Sequence, residues 1–286
     1  MTDSTTPTAE RTRIVTDDGV ELGVTRTAPA GATRASILVA SATAVPRGFY
    51  RRFAEHAAKA GYEVLTMDYR GTGESRPTSL RGYEMTFADW AEHDIPAGIE
   101  ALRADRPRYL VGHSYGGSAL GLVPGTERLA AAYTFGSGTG WGGWMSPAER
   151  RRVRVLWAFA GALTAVMGYA PWSRLGGGED LPAGAFRQWR RWTGFPRFVV
   201  DDPLVPDAAA RYASVRIPLT YATAVDDPWA TPRARDETLA CYTGAASRTA
   251  VDLHPSDIGV EQIGHMGYFR AGAEAFWDDV LATFGA

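Results

Sequence analysis

Apolar and polar positions along the chain follow two different periods, and together they predict both strands and helices. Residues 13–27 alternate around Asp17-Asp18-Gly19, which predicts a β-hairpin. After this hairpin, short apolar runs typical of buried strands alternate with amphipathic stretches typical of helices. The predicted strands are 36–40, 62–68, 109–113, 131–135, 218–225 and 248–253, and the predicted helices are 49–60, 87–104, one from residue 115, and 232–242. This order predicts an α/β fold with a parallel sheet and helical crossovers.

A long segment interrupts the alternation between Gly136 and Ile217. Most of the tryptophans of the chain lie in this interval, namely Trp141, Trp144, Trp157, Trp172, Trp189 and Trp192. We therefore predict an α/β core of residues 1–137 and 213–286, with residues 138–212 inserted as a helical cap. The tryptophans are expected to form the interior of the cap, and some of them are expected to face a ligand cavity.

Residues 155–172 carry no charge and follow the basic run 150–154. Their length is at the lower limit for crossing a bilayer, and the sequence has no second such segment. The pattern therefore leaves a membrane span open but favours a buried or cap helix. In the cap interpretation, Trp157 and Phe159 line the substrate cavity.

Composition excludes several classes of protein. With 45% hydrophobic and 22% charged residues, the chain is typical of a soluble globular protein. A formal net charge of -2 argues against nucleic-acid binding and favours small-molecule partners. The single cysteine, Cys241, excludes an internal disulfide and a thiolate metal site. The first ten residues lack the features of a secretory signal, so we expect a cytoplasmic protein. Nothing in the sequence indicates its oligomeric state.

A G-x-S-x-G motif, residues 112–116, stands between an apolar strand and a helix rich in small residues. In this setting the motif predicts a sharp strand-to-helix turn that holds Ser114 above the sheet. Glycines on either side avoid clashes in such a turn. We therefore predict that Ser114 is a nucleophile.

A serine nucleophile needs a histidine that accepts its proton. Three of the five histidines, His56, His93 and His113, belong to predicted helices or to the motif itself, and we interpret them as structural. His265 lies in a glycine-flanked loop between the last predicted strand and the terminal helix, which is the expected position of the base. His254, at the end of that strand, is the less favoured alternative.

The base in turn needs a carboxylate that orients it. Asp226 and Asp227 follow the predicted strand 218–225, and only one of them can fill this position. The spacing to Pro232 favours Asp227, with Asp226 as the alternative. The remaining aspartate would then cap the next helix.

Acyl transfer also requires N–H donors at the position where an oxyanion forms. The residue after the nucleophile, Tyr115, is expected to supply one donor. The second is expected from the loop 41–44 after an earlier strand, through the backbone N–H of Ala42 or Thr43.

With Ser114, Asp227 and His265 in this order, the chain resembles the α/β-hydrolase superfamily over nearly its whole length. The segments PRGFYRRFA (46–54), DYRGTGES (68–75), DDPWA (226–230) and GH (264–265) resemble a group of bacterial predicted α/β hydrolases, serine hydrolases of unassigned substrate. The resemblance implies a mostly parallel eight-stranded sheet flanked by helices, with an inserted helical cap.

These features predict a serine hydrolase that cleaves a carboxylic ester, thioester or lactone of a hydrophobic small molecule through an acyl-enzyme. The expected chemistry needs no cofactor and no metal. We expect Trp229 and Met266, which neighbour the acid and the base, to line the substrate pocket. Two alternatives remain open: acyl transfer, cyclisation or elimination at the same site, and a non-catalytic small-molecule receptor.

Overall fold

A computed structural model describes residues 6–285, and a single large sheet organises them. The strands are β1 (Thr8–Val15), β2 (Glu21–Ala28), β3 (Ala35–Ala40), β4 (Tyr62–Met67), β5 (Arg108–His113), β6 (Ala131–Phe135), β7 (Tyr169–Ala170), β8 (Leu181–Pro182), β9 (Leu219–Ala224) and β10 (Arg248–Leu253). Eight of them form the sheet in the order β1-β2-β4-β3-β5-β6-β9-β10. The hairpin β1-β2 joins it antiparallel, and the remaining six strands are parallel. The predicted sheet is confirmed.

The central strands are apolar on both sides because helices cover both faces of the sheet. All six residues of β3 and of β4 are buried. Alternate residues enter opposite layers: Leu38 and Leu110 pack into one apolar cluster, whereas Ile37 and Val111 pack into the other. The continuous apolar runs in the sequence reflect this burial on two faces.

The helices are distributed over both faces. They are α1 (Arg51–Lys59), α2 (Ile95–Glu100), α3 (Tyr115–Ser118), α4 (Pro147–Met167), α5 (Ala183–Trp192), α6 (Ala208–Ser214), α7 (Pro232–Ala240) and α8 (Glu274–Gly285). Phe53 of α1 and Trp277 of α8 pack into the same cluster as Ile37. Residues of α2, of α7 and of the segment between β6 and β9 pack into the cluster on the other face.

The helix predicted over 87–104 is shorter and irregular. A π-helical turn, Trp90–Asp94, precedes α2, and the N–H of Ile95 donates to the carbonyl of Trp90. Pro96 has no N–H to donate in an α-helical hydrogen bond. This missing donor is the physical cause of the wider turn before α2. The turn holds the buried Asp94, whose carboxylate accepts from Arg70 Nε at 2.6 Å.

The helix predicted from Tyr115 is only one turn, α3, followed by a 3-10 turn at Leu120–Leu122. Glycine is a poor helix former, and three glycines lie in this stretch. Gly121 also leaves room for the ring of Tyr212 in α6, since a Cβ there would lie 2.2 Å from it. Packing therefore determines the end of this helix.

The segment between β6 and β9 contains three helices, α4 to α6, and the small ribbon β7-β8. Ser146 caps α4 by accepting the N–H of Glu149, and Gly168, with φ of 75°, ends it. Within residues 6–285, no helix combines the length and the apolar character that a membrane span requires. The alternative of a span over 155–172 is thus not supported.

Candidate active site

Ser114 occupies a strained turn at the carboxyl end of β5. Its backbone has φ of 50° and ψ of -110°, a conformation that residues with a side chain rarely adopt. The turn is tight: a Cβ on Gly116 would lie 2.1 Å from the carbonyl oxygen of Ala40, so only glycine fits. The Ser114 N–H donates to Phe135 O at 2.9 Å and ties the turn to β6. This is the geometry that the G-x-S-x-G motif predicts.

Three side chains from different strand ends form one hydrogen-bonded line. Ser114 Oγ lies 2.9 Å from His265 Nε2, and His265 Nδ1 lies 2.8 Å from Asp227 Oδ2. Ser114 follows β5, Asp227 follows β9, and His265 follows β10. The parallel sheet brings these three ends to the same edge. His254, the alternative base, instead caps the 3-10 turn at Pro255–Ile258.

Asp227 is buried and fully hydrogen-bonded. Its Oδ1 accepts the N–H groups of Trp229 and Ala230 at 2.8 and 2.9 Å, and Oδ2 accepts Tyr268 Oη at 2.9 Å besides His265. Burial disfavours its charge, but the neighbouring imidazole and the backbone donors outweigh burial and hold the pKa of Asp227 below its ordinary value. The carboxylate is therefore ionised at neutral pH.

Asp226, the alternative acid, has a different position. Its oxygens accept the N–H groups of Ile263 and Gly264, both at 3.0 Å. These bonds anchor the loop that carries His265. Asp226 thus shapes the loop without touching the imidazole.

Two backbone N–H groups beside the cavity remain candidates for binding an oxyanion. Among the described residues, the N–H groups of Tyr115 and Thr43 have no hydrogen-bond acceptor, and both residues line the cavity above Ser114. The N–H of Ala42 is instead donated to Tyr50 Oη at 2.8 Å. Of the two predicted donors in this loop, Ala42 is therefore wrong, because its N–H is already occupied.

A cavity of about 420 Å³ opens over Ser114 and His265. Its lining combines core residues with residues of the 138–212 segment and includes seven aromatic residues. The aromatic lining residues are Phe49, Phe87, Tyr115, Trp172, Trp189, Phe198 and Trp229. Met266 also lines the cavity, so both Trp229 and Met266 lie where the sequence predicted them. The cavity suits an apolar group placed beside the serine.

The structure corrects two predicted pocket residues. Phe159 is 55% exposed and lies outside the cavity, because it belongs to the outward face of α4. Trp157 is buried but lies behind the lining, with its ring centroid 4.7 Å from that of Trp189. Trp189 and Trp172 line the cavity instead, and they belong to the six tryptophans of which some were expected to face it.

A comparison with known protein families agrees with this geometry. Residues 37–278 match the Alpha/beta hydrolase family. The chain belongs to this family. No curated protein sequence matches this α/β hydrolase significantly.

Solved structures share the fold at low sequence identity. A thermophilic esterase of Thermogutta terrifontis is 16% identical to this hydrolase, with a TM-score of 0.61 over 96% of this chain and 98% of that one. An esterase of Pyrococcus furiosus is 14% identical, with a TM-score of 0.59 over 96% and 90%. A thioesterase domain from the curacin biosynthetic pathway is 15% identical, with a TM-score of 0.60 over 96% and 99%. At these identities the likeness shows the fold, and it confirms the predicted α/β-hydrolase fold.

A hydrogen-bonded chain behind the site of the hydrolase was not predicted. The hydroxyl of Tyr50 accepts the Ala42 N–H and lies 3.0 Å from His113 Nδ1, while His113 Nε2 lies 2.9 Å from the carbonyl oxygen of His265. Burial, aided by the nearby His265, lowers the pKa of His113 to about 3, so its ring is neutral. Nε2 then donates to His265 and Nδ1 accepts from Tyr50. This chain links the loop after β3 to the loop of His265.

One group of possible metal ligands occurs in the described part of the hydrolase, formed by Asp17, Asp18 and His93. Ion pairs explain why these three side chains lie close together. Asp18 accepts from Arg70 at 2.6 and 2.9 Å, and His93 Nδ1 lies 2.7 Å from Asp17. These residues surround the hairpin turn and do not line the cavity over Ser114.

Proposed function

We propose that the protein is a serine hydrolase that cleaves a carboxylic ester, thioester or lactone whose acyl or alcohol part is hydrophobic. The observation that carries this proposal is the continuous hydrogen-bonded line from Asp227 through His265 to Ser114 at the floor of an aromatic cavity. A serine alone is a weak nucleophile, and this arrangement supplies its base and the orienting carboxylate.

In the first half of the reaction, Ser114 Oγ attacks the substrate carbonyl carbon while His265 Nε2 accepts the hydroxyl proton. The tetrahedral intermediate collapses, and His265 returns the proton to the leaving alcohol or thiol. In the second half, a water molecule gives a proton to the same nitrogen and attacks the acyl carbon. The second tetrahedral intermediate then collapses, the bond between Ser114 Oγ and the acyl carbon breaks, and His265 returns the proton to Ser114 Oγ as the carboxylic acid leaves. Asp227 keeps the Nδ1 proton in place and stabilises the imidazolium that forms twice in each cycle.

The developing oxyanion needs donors that are already in position. The unoccupied N–H groups of Tyr115 and Thr43 fill this role in our proposal. The hydrogen bonds from Ala42 to Tyr50 and from His113 to His265 hold the loop that carries Thr43 and the loop that carries the base.

Residues 138–212 act as a cap in this proposal, with 1–137 and 213–286 as the catalytic core. The contribution of Trp172, Trp189 and Phe198 to the cavity that contains Ser114 supports this division. An apolar wall built from the cap selects for a hydrophobic substrate because burying apolar surface favours binding.

A series of p-nitrophenyl esters tests the substrate class. Wild-type protein should hydrolyse medium-chain esters with a higher kcat/KM than the acetate. Trp189→Ala removes part of the apolar wall, so kcat/KM for the medium-chain esters should fall on the order of tenfold, while that for the acetate changes little. Initial rates over the series, with melting temperatures for each variant, measure both effects.

Phe159→Ala is the matched control, because it removes an aromatic ring from the cap outside the cavity. It should leave the chain-length preference unchanged, and Trp189→Phe should largely restore it. Equal losses for acetate and longer esters in Trp189→Ala would show that this wall does not select the acyl chain. No turnover of any ester by the wild type would contradict the proposed reaction.

The pH dependence of kcat/KM should reveal His265 as the base. Burial lowers the pKa of His265, but the buried Asp227 carboxylate outweighs burial and raises it above its ordinary value of about 6.5. Only the neutral imidazole accepts the serine proton, so activity should rise with pH through a midpoint above about 6.5. In Asp227→Asn the residual activity should show a lower midpoint. A profile with no acid limb between pH 5 and 9 would argue against a histidine base.

A further inference from the structure

The outward face of α4 is apolar and uncovered in the described chain. Val155, Phe159 and Val166 are 63%, 55% and 77% exposed, which is unusual for side chains of this size. At 100° per residue their directions fall within about 40° of one another. Ala158 and Ala162 are exposed between them. We call these five residues the apolar stripe.

Arginines flank the apolar stripe. Helices α4 and α5 together contain seven arginines and one glutamate, a formal charge of +6, whereas the whole chain has -2. Two of these arginines form ion pairs, Arg152 with Glu149 and Arg191 with Asp202. The other exposed arginines of the two helices are Arg151, Arg154, Arg187 and Arg190. Within residues 6–285, no carboxylate forms an ion pair with any of these four. This face therefore has free cationic groups.

A groove of about 390 Å³ runs between α4 and α5 beside the apolar stripe. Arg187, Arg190 and Arg191 line it together with Gly161 and Ala165. The guanidinium of Arg190 lies against Gly161, 2.5 Å from where a Cβ would be at that position. The groove thus places guanidinium groups, which bind phosphate well, next to exposed apolar side chains.

We propose that this face binds the surface of a bilayer that contains anionic phospholipid, with α4 lying along the membrane and the arginines on lipid phosphates. A phospholipid is the ligand that supplies an anionic group and an acyl chain side by side, which matches the groove and the apolar stripe. A second copy of the chain does not match, because the unpaired arginines of two such faces repel each other. Such peripheral binding needs no membrane-spanning helix.

Flotation with lipid vesicles tests this proposal. Wild-type protein should float with vesicles of phosphatidylcholine and phosphatidylglycerol, should not float with phosphatidylcholine alone, and should be released by high salt. Arg187→Gln with Arg190→Gln should lower the partition coefficient on the order of tenfold or more. Val155→Ser with Phe159→Ser should also abolish most of the binding. All of these positions are exposed, so the variants should keep the wild-type melting temperature.

Two control variants remove similar groups elsewhere. Leu204→Ser replaces another exposed apolar residue, and Arg52→Gln with Arg248→Gln removes two exposed charges outside the cap. Both should float as the wild type does. Absence of flotation with the anionic vesicles, or equal flotation of all variants, would overturn the proposal. A wild-type dimer that Phe159→Ser converts to a monomer would overturn it too, because a second copy would then cover the stripe.

Discussion

Ser114→Ala is expected to fold as the wild type does and to lose ester turnover by roughly four to six orders of magnitude, because the three residues of the line act as a unit. The substitution removes the hydroxyl oxygen that lies 2.9 Å from His265 Nε2. Alanine is small enough for the strained turn, so stability should change little. Initial rates on a p-nitrophenyl ester, together with the melting temperature, measure the two effects.

A fluorophosphonate probe provides the complementary measurement. It should label Ser114 in the wild type and nothing in Ser114→Ala, as read by peptide mass spectrometry. Ser118 is an internal control, because it also lines the cavity but its hydroxyl bonds to Gly138. Residual turnover above about a tenth of the wild-type rate would reject covalent catalysis through Ser114. A wild type that the probe does not label would favour the non-catalytic receptor instead.

Asp227→Asn should reduce turnover on the order of ten-thousand-fold while the fold persists. The carboxylate accepts the Nδ1 proton of His265, and this bond leaves Nε2 free to accept the serine proton. An asparagine amide can donate to Nδ1 and thereby favour the wrong tautomer. Steady-state kinetics of the purified variant test this expectation.

Asp226→Asn is the matched control, since it makes the same chemical change one residue away. Asp226 accepts two backbone N–H groups of the His265 loop, and the amide oxygen of asparagine can keep one of them. Its turnover should therefore fall far less than that of Asp227→Asn. The opposite ranking would mean that Asp226 is the orienting acid.

Local patterns determined much of this protein before any tertiary structure was considered. The strand 131–135 was predicted with the bounds that the structure has, because a short apolar run between turn residues has few alternatives in an α/β chain. The strand 248–253 was also predicted with its observed bounds, although only Leu253 in it is buried. The position of Ser114 also followed from local chemistry, since glycines at 112 and 116 and a preceding buried strand define the turn.

Other features depended on contacts between distant parts of the chain. Asp226 and Asp227 are neighbours with identical chemistry, and only the loop of His265, nearly forty residues later, distinguishes them. The N–H groups of Ala42 and Thr43 are likewise equivalent in the sequence. The buried hydroxyl of Tyr50 occupies the first and leaves the second free.

The orientation of α4 shows most clearly what the sequence could not decide. Its residues 155–167 are uncharged on every side, so hydrophobic periodicity does not separate an inner from an outer face. Trp157 and Phe159 were equivalent candidates for the cavity wall by this criterion. Packing against α5 turned Trp157 inward and left Phe159 exposed. Apolar residues determined that a helix forms here, and only its tertiary neighbours decided which of them are buried.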